Sequence, residues 1–254
     1  MSFLLLINSV LLSQAASSPS YRVQVPARTV LAVRGWPLVI GCTFPPANSP
    51  PALPGNLVIT WQRLENNQVV HSFYYGQDQM NYQSQDYQNR TTLFNSQISS
   101  GNASLRLTDV RLQDAGRYLC SVSDSRGMDK AEVQVQYAAY YSEPRLTIEV
   151  SATSVSVEYE MEGYPEPELL WQGPQGQKLT YDTEINKSEE LIHVKTRYVT
   201  SRTNSISLTF SLTNQPTSQV MQKSVSFRNG GSPPNAVKDR IVVLTALTTL
   251  LSLL

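Results

Sequence analysis

The sequence has few of the residues from which metal sites and catalytic centres are built. Only two histidines and two cysteines occur among its 254 residues, too few for a Cys/His metal cluster. The histidines, His71 and His193, lie in different halves of the chain, and no nucleophile elbow, phosphate loop, dinucleotide fingerprint or calcium loop is present. We therefore predict a protein that is not an enzyme and that uses no metal, cofactor or small-molecule substrate.

Charge is also sparse, and it is balanced. Lysine plus arginine number 20, as do aspartate plus glutamate, and charged residues make up 16% of the chain. A protein that binds nucleic acid by neutralising phosphates needs a basic excess, so nucleic acid is not an expected partner. The hydrophobic content of 41% is that of an ordinary globular chain and exceeds that of a disordered one.

The N-terminus carries a short apolar run over residues 3–12, which is too short to cross a bilayer. Small residues follow at Ser13, Ala15, Ala16 and Ser17. This order predicts a secretory signal peptide over residues 1–17, with a buried strand as the alternative.

The C-terminus has a second apolar run, residues 241–254, without a charge. As a helix it would reach about 21 Å, short of a hydrocarbon core of about 30 Å. Small residues beginning at Asn229 and Gly230, and then a polar spacer, precede it. This order predicts a glycosylphosphatidylinositol-anchor signal over residues 229–254, with the lipid on Asn229 or Gly230. A short transmembrane helix and a truncated isoform are the alternatives, and an anchored or spanning chain would lie on the external side of the plasma membrane.

Three asparagines, Asn89, Asn102 and Asn186, stand in Asn-x-Ser/Thr sequons. A chain that enters the secretory pathway exposes such sequons to the glycosylation machinery. We therefore predict N-linked glycans at all three positions.

Between the two ends the sequence is typical of strands. Runs such as 22–25, 38–42, 57–61 and 131–135 alternate apolar with polar residues and are rich in β-branched side chains. No helical period is sustained, and turns rich in proline and glycine separate the runs. The pattern predicts an all-β sandwich fold.

The two cysteines, Cys42 and Cys120, should pair in an oxidising compartment. Trp61 follows the first, and Tyr118 stands two residues before the second. Cys, Trp and Tyr-x-Cys in this order are the signature of an immunoglobulin domain. The long spacing leaves room for the extra strands of a variable-type domain, which we predict over residues 18–138.

A similar strand pattern restarts after residues 137–144, and we predict a constant-type immunoglobulin domain over residues 139–228. Trp171 stands where the tryptophan of strand C belongs, yet this half contains no cysteine. Tyr159 and Phe210 occupy the positions that a cystine would take. We therefore predict that these two rings pack together near Trp171.

Several segments resemble the B7 family of immunoglobulin-superfamily T-cell co-signalling ligands, including B7 homologs 3 and 4 and the programmed-death ligands. The segments are residues 70–79, 87–91, 101–107, 114–120 and 163–171. The resemblance implies a cell-surface ligand that binds a protein receptor on T cells and modulates, in our interpretation inhibits, their activation and cytokine production. The alternative is a homophilic or heterophilic adhesion molecule, or a butyrophilin-like surface protein, because fold alone does not fix function.

The resemblance also implies where the receptor binds. Ligands of this family use the flat sheet that carries strands G, F, C and C prime. Strand alternation predicts which residues of that sheet face outward: Thr60, Gln62, Ser72, Tyr74, Leu119, Ser121, Ser123, Met128 and Lys130. Lys130 would be the only formal charge, and glycans on Asn89 and Asn102 would lie on the opposite sheet. Variable domains also carry an ion pair across their base, which Arg90 and Asp114 are placed to form.

Overall fold

The structure is a computed structural model that describes residues 21–46, 53, 56–202 and 205–228. The predicted signal peptide and the lipid site at Asn229 or Gly230 lie outside the described residues. Within the described part of the chain, no helix combines the length and the apolar character that crossing a bilayer requires.

The first half of the described chain forms a sandwich of two sheets. Its strands are β1 (Thr29–Val33), β2 (Leu38–Ile40), β3 (Val58–Arg63), β4 (Val69–Tyr74), β5 (Gln77–Asp78), β6 (Thr91–Leu93), β7 (Leu105–Leu107), β8 (Gly116–Asp124) and β9 (Gly127–Ala138). The front sheet has the order β1-β9-β8-β3-β4-β5, and the back sheet has the order β2-β7-β6. Short 3-10 helices at Gln85–Tyr87, Asn95–Ser100 and Leu112–Asp114 connect the strands. Extra strands beside the C strand of the front sheet are the mark of a variable-type domain.

The second half forms a smaller sandwich. Its strands are β10 (Arg145–Val150), β11 (Ser154–Gly163), β12 (Glu168–Gln172), β13 (Asp182–Lys187), β14 (Ile192–Ser201), β15 (Ser205–Asn214) and β16 (Gln219–Arg228). One sheet has the order β10-β11-β14-β13 and the other β12-β15-β16, which are the ABED and CFG sheets of a constant-type domain. The prediction of an all-β chain with two tandem immunoglobulin-like sandwiches is confirmed.

The core of the first sandwich surrounds a disulfide between Cys42 and Cys120. Trp61 is fully buried, and its indole Nε1 donates to the carbonyl of Ala103 at 2.9 Å. The disulfide links the two sheets, because Cys42 follows β2 of the back sheet and Cys120 lies on β8 of the front sheet.

At the base of this sandwich, Arg90 and Asp114 form a buried ion pair through both guanidinium Nη atoms. The same Asp114 provides its main-chain carbonyl to the Tyr118 hydroxyl at 2.8 Å. This tyrosine corner and the ion pair hold the turn into β8, so they fix one end of the front sheet.

The second core replaces the missing cystine with aromatic rings. Tyr159 on β11 and Phe210 on β15 stack with their centroids 4.7 Å apart. The Trp171 ring lies 5.5 Å from Tyr159 and 5.2 Å from Phe210. The predicted packing of these three residues is confirmed, and the rings join the same two sheets that a disulfide would join.

The linker between the sandwiches is attached to the second one. Ala139 and Tyr164 exchange both main-chain hydrogen bonds, at 3.0 and 3.1 Å. The Asn214 amide donates to the carbonyl of Ala139 at 3.0 Å. These bonds support our proposal that the first domain ends at residue 138 and the second extends over residues 139–228.

Candidate receptor-binding face

The outer face of the front sheet is built from three cross-strand rows on β3, β8 and β9. The rows follow from the strand register and are Val58–Ser123–Met128, Thr60–Ser121–Lys130 and Gln62–Leu119–Glu132. The structure therefore brings together seven of the nine residues that the sequence predicted for this face.

These residues differ in how much surface they offer. Thr60, Gln62, Leu119, Ser121 and Ser123 are half-exposed. Met128 is 69% exposed and Lys130 is also exposed, because both lie near the free end of the β8–β9 hairpin. The most accessible part of the face is thus this hairpin end.

Tyr74 extends the first row on the neighbouring strand. Phe73 pairs with Ile59, so the next register step places Tyr74 beside Val58. Tyr74 is half-exposed, and its ring contacts Tyr75 edge-on at 5.2 Å. We call Val58, Tyr74, Tyr75 and Met128 the apolar end of the face.

The prediction for Ser72 is wrong. Ser72 pairs with Thr60 and so has the predicted direction, but it is only 9% exposed. It lies on an inner strand, and its short side chain does not rise above longer neighbours on the same face such as Tyr74. Ser72 therefore offers almost no surface to a partner.

The prediction that Lys130 is the only charge on the face is also wrong. Glu132 pairs with Leu119 and is exposed on the same side of β9 as Lys130. Its carboxylate lies 3.7 Å from the Arg117 guanidinium. Arg117 lies two residues before Leu119 on β8 and is also exposed, so β8 and β9 carry two positive charges and one negative charge on this face.

Sequence reasoning also missed Val58 and Tyr75. Val58 is 36% exposed, and the alternation that assigned Thr60 outward would have found it two residues earlier. Tyr75 is 88% exposed at a φ of +54° in the β4–β5 turn, a backbone conformation that no strand period reveals.

The β8–β9 hairpin is held in place by Arg126. Its guanidinium bonds Asp124 and donates to the carbonyls of Pro45 and Pro46 at 2.8 and 2.6 Å. Burial alone would raise the pKa of Asp124, but the hydrogen bonds from Arg126 outweigh it and hold that pKa below its usual value. Asp124 is therefore charged at neutral pH, and the ion pair fixes the end of the hairpin that presents Met128.

The opposite edge of the face is supported by His71. The imidazole is 1% exposed, with Nδ1 3.0 Å from the Thr91 hydroxyl and Nε2 3.2 Å from the Asp78 carboxylate. These contacts connect β4 to β5 and, across the sandwich, to β6. His71 is thus a structural residue that holds the strand carrying Tyr74.

The three sequons lie away from this face. Asn89 is exposed in the turn before β6, and Asn102 forms a bridge with Thr43 beside the back sheet. The Asn102 amide is already bonded, since Nδ2 donates to Gln97 at 2.7 Å. Asn186 is exposed on β13, an edge strand of the second sandwich. Glycans at these sites stay a prediction, and glycans on the first two would leave the front sheet uncovered.

Comparisons with known proteins agree with the geometry. The family model of the immunoglobulin V-set domain matches residues 24–137. A CD276 antigen homolog from Xenopus laevis is 32% identical over 182 residues, which cover 68% of this chain and 58% of the relative. The human V-set domain-containing T-cell activation inhibitor 1 is 31% identical over 154 residues, covering 60% of this chain and 53% of that protein. The chain therefore spans little more than half the length of these curated relatives.

A solved structure has the same fold over both sandwiches. The crystal structure of bovine butyrophilin superposes with a TM-score of 0.69, covering 82% of this chain and 99% of that chain at 24% identity. At this level of identity the match shows the fold alone, namely two immunoglobulin-like sandwiches in tandem.

Proposed function

We propose that this chain is a B7-like member of the immunoglobulin superfamily and a cell-surface ligand that binds a receptor on T cells. Its V-set domain and its similarity to the CD276 antigen homolog and to the T-cell activation inhibitor support the proposal. We further propose that binding inhibits T-cell activation, since one relative bears the name of a T-cell activation inhibitor. The proposed activity is recognition of a protein, not catalysis.

The observation that supports this proposal best is the apolar end of the front sheet. Tyr75 and Met128 are 88% and 69% exposed, and Tyr74 and Val58 lie beside each other between them. Aromatic residues and methionine are enriched in protein interfaces, and buried aromatic anchors supply most of their binding energy. Half-exposed serine and threonine side chains surround these anchors with polar groups that can pair with a partner.

The proposed face is tested by substitution on it and on the opposite sheet. Soluble protein carrying Val58→Asp, Tyr74→Ala, Leu119→Asp or Met128→Asp should stain activated T cells with roughly tenfold or more lower affinity, because each change removes or charges an interface anchor. Val39→Asp is the matched control, since Val39 is 49% exposed on the back sheet. Its binding should equal that of the unmodified protein.

Other outcomes would contradict the proposal in distinct ways. Unchanged binding by all four variants would exclude this face and direct attention to the loop of residues 44–56. Staining of cells that express the same chain, without staining of T cells, would instead support the alternative of a homophilic adhesion molecule or a butyrophilin-like surface protein.

We propose that the chain is held on the outer face of the plasma membrane by a lipid at Asn229 or Gly230. Phosphatidylinositol-specific phospholipase C should then release it from transfected cells, because the enzyme cuts the only link to the bilayer. Retention of the chain while a control anchored protein is released would favour a short C-terminal transmembrane helix.

A further inference from the structure

A cavity of about 480 Å³ lies where the two sandwiches meet. The first domain lines it with the turn before β2 and with residues at the end of β7 and after it, and the second domain contributes Glu190 from the β13–β14 turn. The Arg34 Nε atom and a Glu190 carboxylate oxygen are 3.1 Å apart. An ion pair therefore joins the two domains at this cavity, which is separate from the proposed receptor-binding face.

The lining includes a tryptophan that the protein leaves largely uncovered. Tryptophan is highly buried on average in folded proteins, and Trp61 and Trp171 are fully buried here, whereas Trp36 is 65% exposed. The Trp36 main-chain amide donates to the Val33 carbonyl at 3.0 Å, and Gly35 has a φ of +85°, which glycine adopts without strain. A tight turn thus holds a large, exposed aromatic ring at the cavity.

The rest of the lining combines apolar surface with polar groups of both signs. Pro37 and Val110 extend the apolar surface that Trp36 begins. The polar members of the lining are Arg34, Arg106, Thr108, Asp109 and Glu190. Two guanidinium groups and two carboxylates offer both hydrogen-bond donors and acceptors, and together they do not select an anion or a cation. A neutral ligand with an apolar face and many hydroxyl groups fits such a lining, and a pyranose sugar is a ligand of this kind.

A source of such sugars lies close by on the same chain. Asn186, in its glycosylation sequon, stands four residues before Glu190, and four residues span at most about 14 Å. The β13–β14 turn is tight, since the Ser188 amide donates to the Leu191 carbonyl at 2.9 Å, so Asn186 lies closer to Glu190 than this limit. Asn186 is exposed, and an N-linked glycan on it is a bulky chain of several sugars that can reach the cavity.

We propose that the cavity holds part of the N-linked glycan on Asn186, with one pyranose ring stacked on the Trp36 indole and hydroxyl groups bonded to the charged side chains of the lining. The negative face of the aromatic ring attracts the C–H groups of the sugar. The bound glycan covers the exposed indole and adds a contact between the domains beside the Arg34–Glu190 ion pair. The proposal rests on our prediction that Asn186 is glycosylated, and it does not depend on the proposed receptor.

Tryptophan fluorescence of the full chain, purified in detergent from transfected cells, tests this contact. The chain has three tryptophans, and Trp36 is the exposed one, so it is the one that a soluble quencher such as acrylamide reaches. Asn186→Gln should raise the quenching constant of this tryptophan roughly twofold, because sugar no longer covers one face of the ring. Asn89→Gln, which removes a sequon of the first domain, is the matched control and should leave quenching unchanged.

Enzymatic removal of the glycan tests the same contact from the sugar side. Peptide N-glycosidase acts on a glycan that has left the protein surface, so its rate at Asn186, followed by peptide mass spectrometry, reports the bound fraction. Trp36→Ala should speed release at Asn186 roughly tenfold, with release at Asn89 unchanged. Trp36→Phe keeps an aromatic ring and should stay near the unmodified rate. Tyr82→Ala is the matched control, because it removes another exposed aromatic ring, 76% exposed, outside the cavity.

Three results would overturn the proposal. An unchanged mass of the chain in Asn186→Gln would show that no glycan is attached there. A quenching constant that ignores Asn186→Gln, or a release rate at Asn186 that ignores Trp36→Ala, would show that the glycan does not contact the indole. Equal surface levels of the variants establish that each of them folds, and if Asn186→Gln fails to reach the surface, the Trp36 variants decide the question.

Discussion

Replacing Asp114 by alanine should lower the free energy of unfolding of the first domain by about 3–5 kcal/mol. Asp114 is 1% exposed and Arg90 is 7% exposed, so the change leaves a guanidinium buried without its counterion. It also removes the acceptor for the Arg111 amide, which donates to the Asp114 carboxylate at 2.8 Å. Calorimetry of the soluble protein measures the loss as a downward shift of the first-domain transition.

A second aspartate in the same loop provides the control. Asp109 pairs with Arg111, but their side chains are 65% and 39% exposed, and exposed ion pairs contribute about 0–1 kcal/mol. Asp109→Asn removes the charge and keeps a residue type that tolerates the φ of +50° at this position, so it should change stability by less than about 1 kcal/mol. Equal losses from the two substitutions would show that burial of the Arg90–Asp114 pair is not what stabilises the base of the domain.

A double substitution separates the net stabilisation by the ion pair from the cost of leaving one of its charges buried without a partner. With Arg90→Met and Asp114→Leu together, no charge stays buried, and much of the loss should be recovered. Full recovery is not expected, because Arg90 also donates to the carbonyls of Asp86 and Asp109, both at 2.7 Å. Those carbonyls lose a donor when methionine replaces the guanidinium.

The sequence predicted the outward-facing residues of the front sheet well wherever the strands keep a regular alternation. Thr60, Leu119 and Lys130 follow the period of two along β3, β8 and β9, and they lie on one face as predicted. Glu132 obeys the same period and was missed only because the alternation along β9 was not followed to its next outward residue. These features are local, so the sequence contains them in full.

The failures come from contacts between distant residues. The burial of Ser72 depends on the strands on either side of β4. The register between β3 and β4 also shifts between Trp61 and Gln62. Strand β1 pairs with only residues 134–138 of β9, whereas the segment before β1 contacts the other end of β9, where the Val23 amide donates to the Asp129 carboxylate at 2.8 Å. No spacing in the sequence specifies how long a parallel pairing continues, so these contacts were visible only in the structure.

The second domain raises the question of how a constant-type sandwich holds together without its cystine. A disulfide of this kind commonly contributes 2–5 kcal/mol in small secreted domains. Here Tyr159, Phe210 and Trp171 are each at most 2% exposed and contact one another across the two sheets. Their rings bury a large apolar area between the sheets, which supplies stabilisation at the same place in the fold.

Phe210→Ala should therefore lower the free energy of unfolding of the second domain by about 3–5 kcal/mol. Each kcal/mol corresponds to roughly 4–8 °C for a domain of this size, so calorimetry of the soluble protein should show the second-domain transition shifted strongly downward or absent. The first-domain transition should move little. Val220→Ala is the control, because Val220 lies 53% exposed on β16, and it should leave both transitions in place.

Removing the hydroxyl of Tyr159, in the same aromatic cluster, should have the opposite effect on stability. Among the described residues this buried Oη has no hydrogen-bond partner, and burial, with the Glu143 carboxylate, raises the pKa of Tyr159 to about 12. The phenol is thus neutral and unsatisfied at neutral pH, so Tyr159→Phe should raise stability by about 1 kcal/mol. Tyr141→Phe should lower it by a similar amount, because the Tyr141 hydroxyl donates to the Pro165 carbonyl at 2.7 Å. If Phe210→Ala proved harmless, or if Tyr159→Phe cost as much as Tyr141→Phe, the aromatic cluster would not be the substitute for the missing cystine.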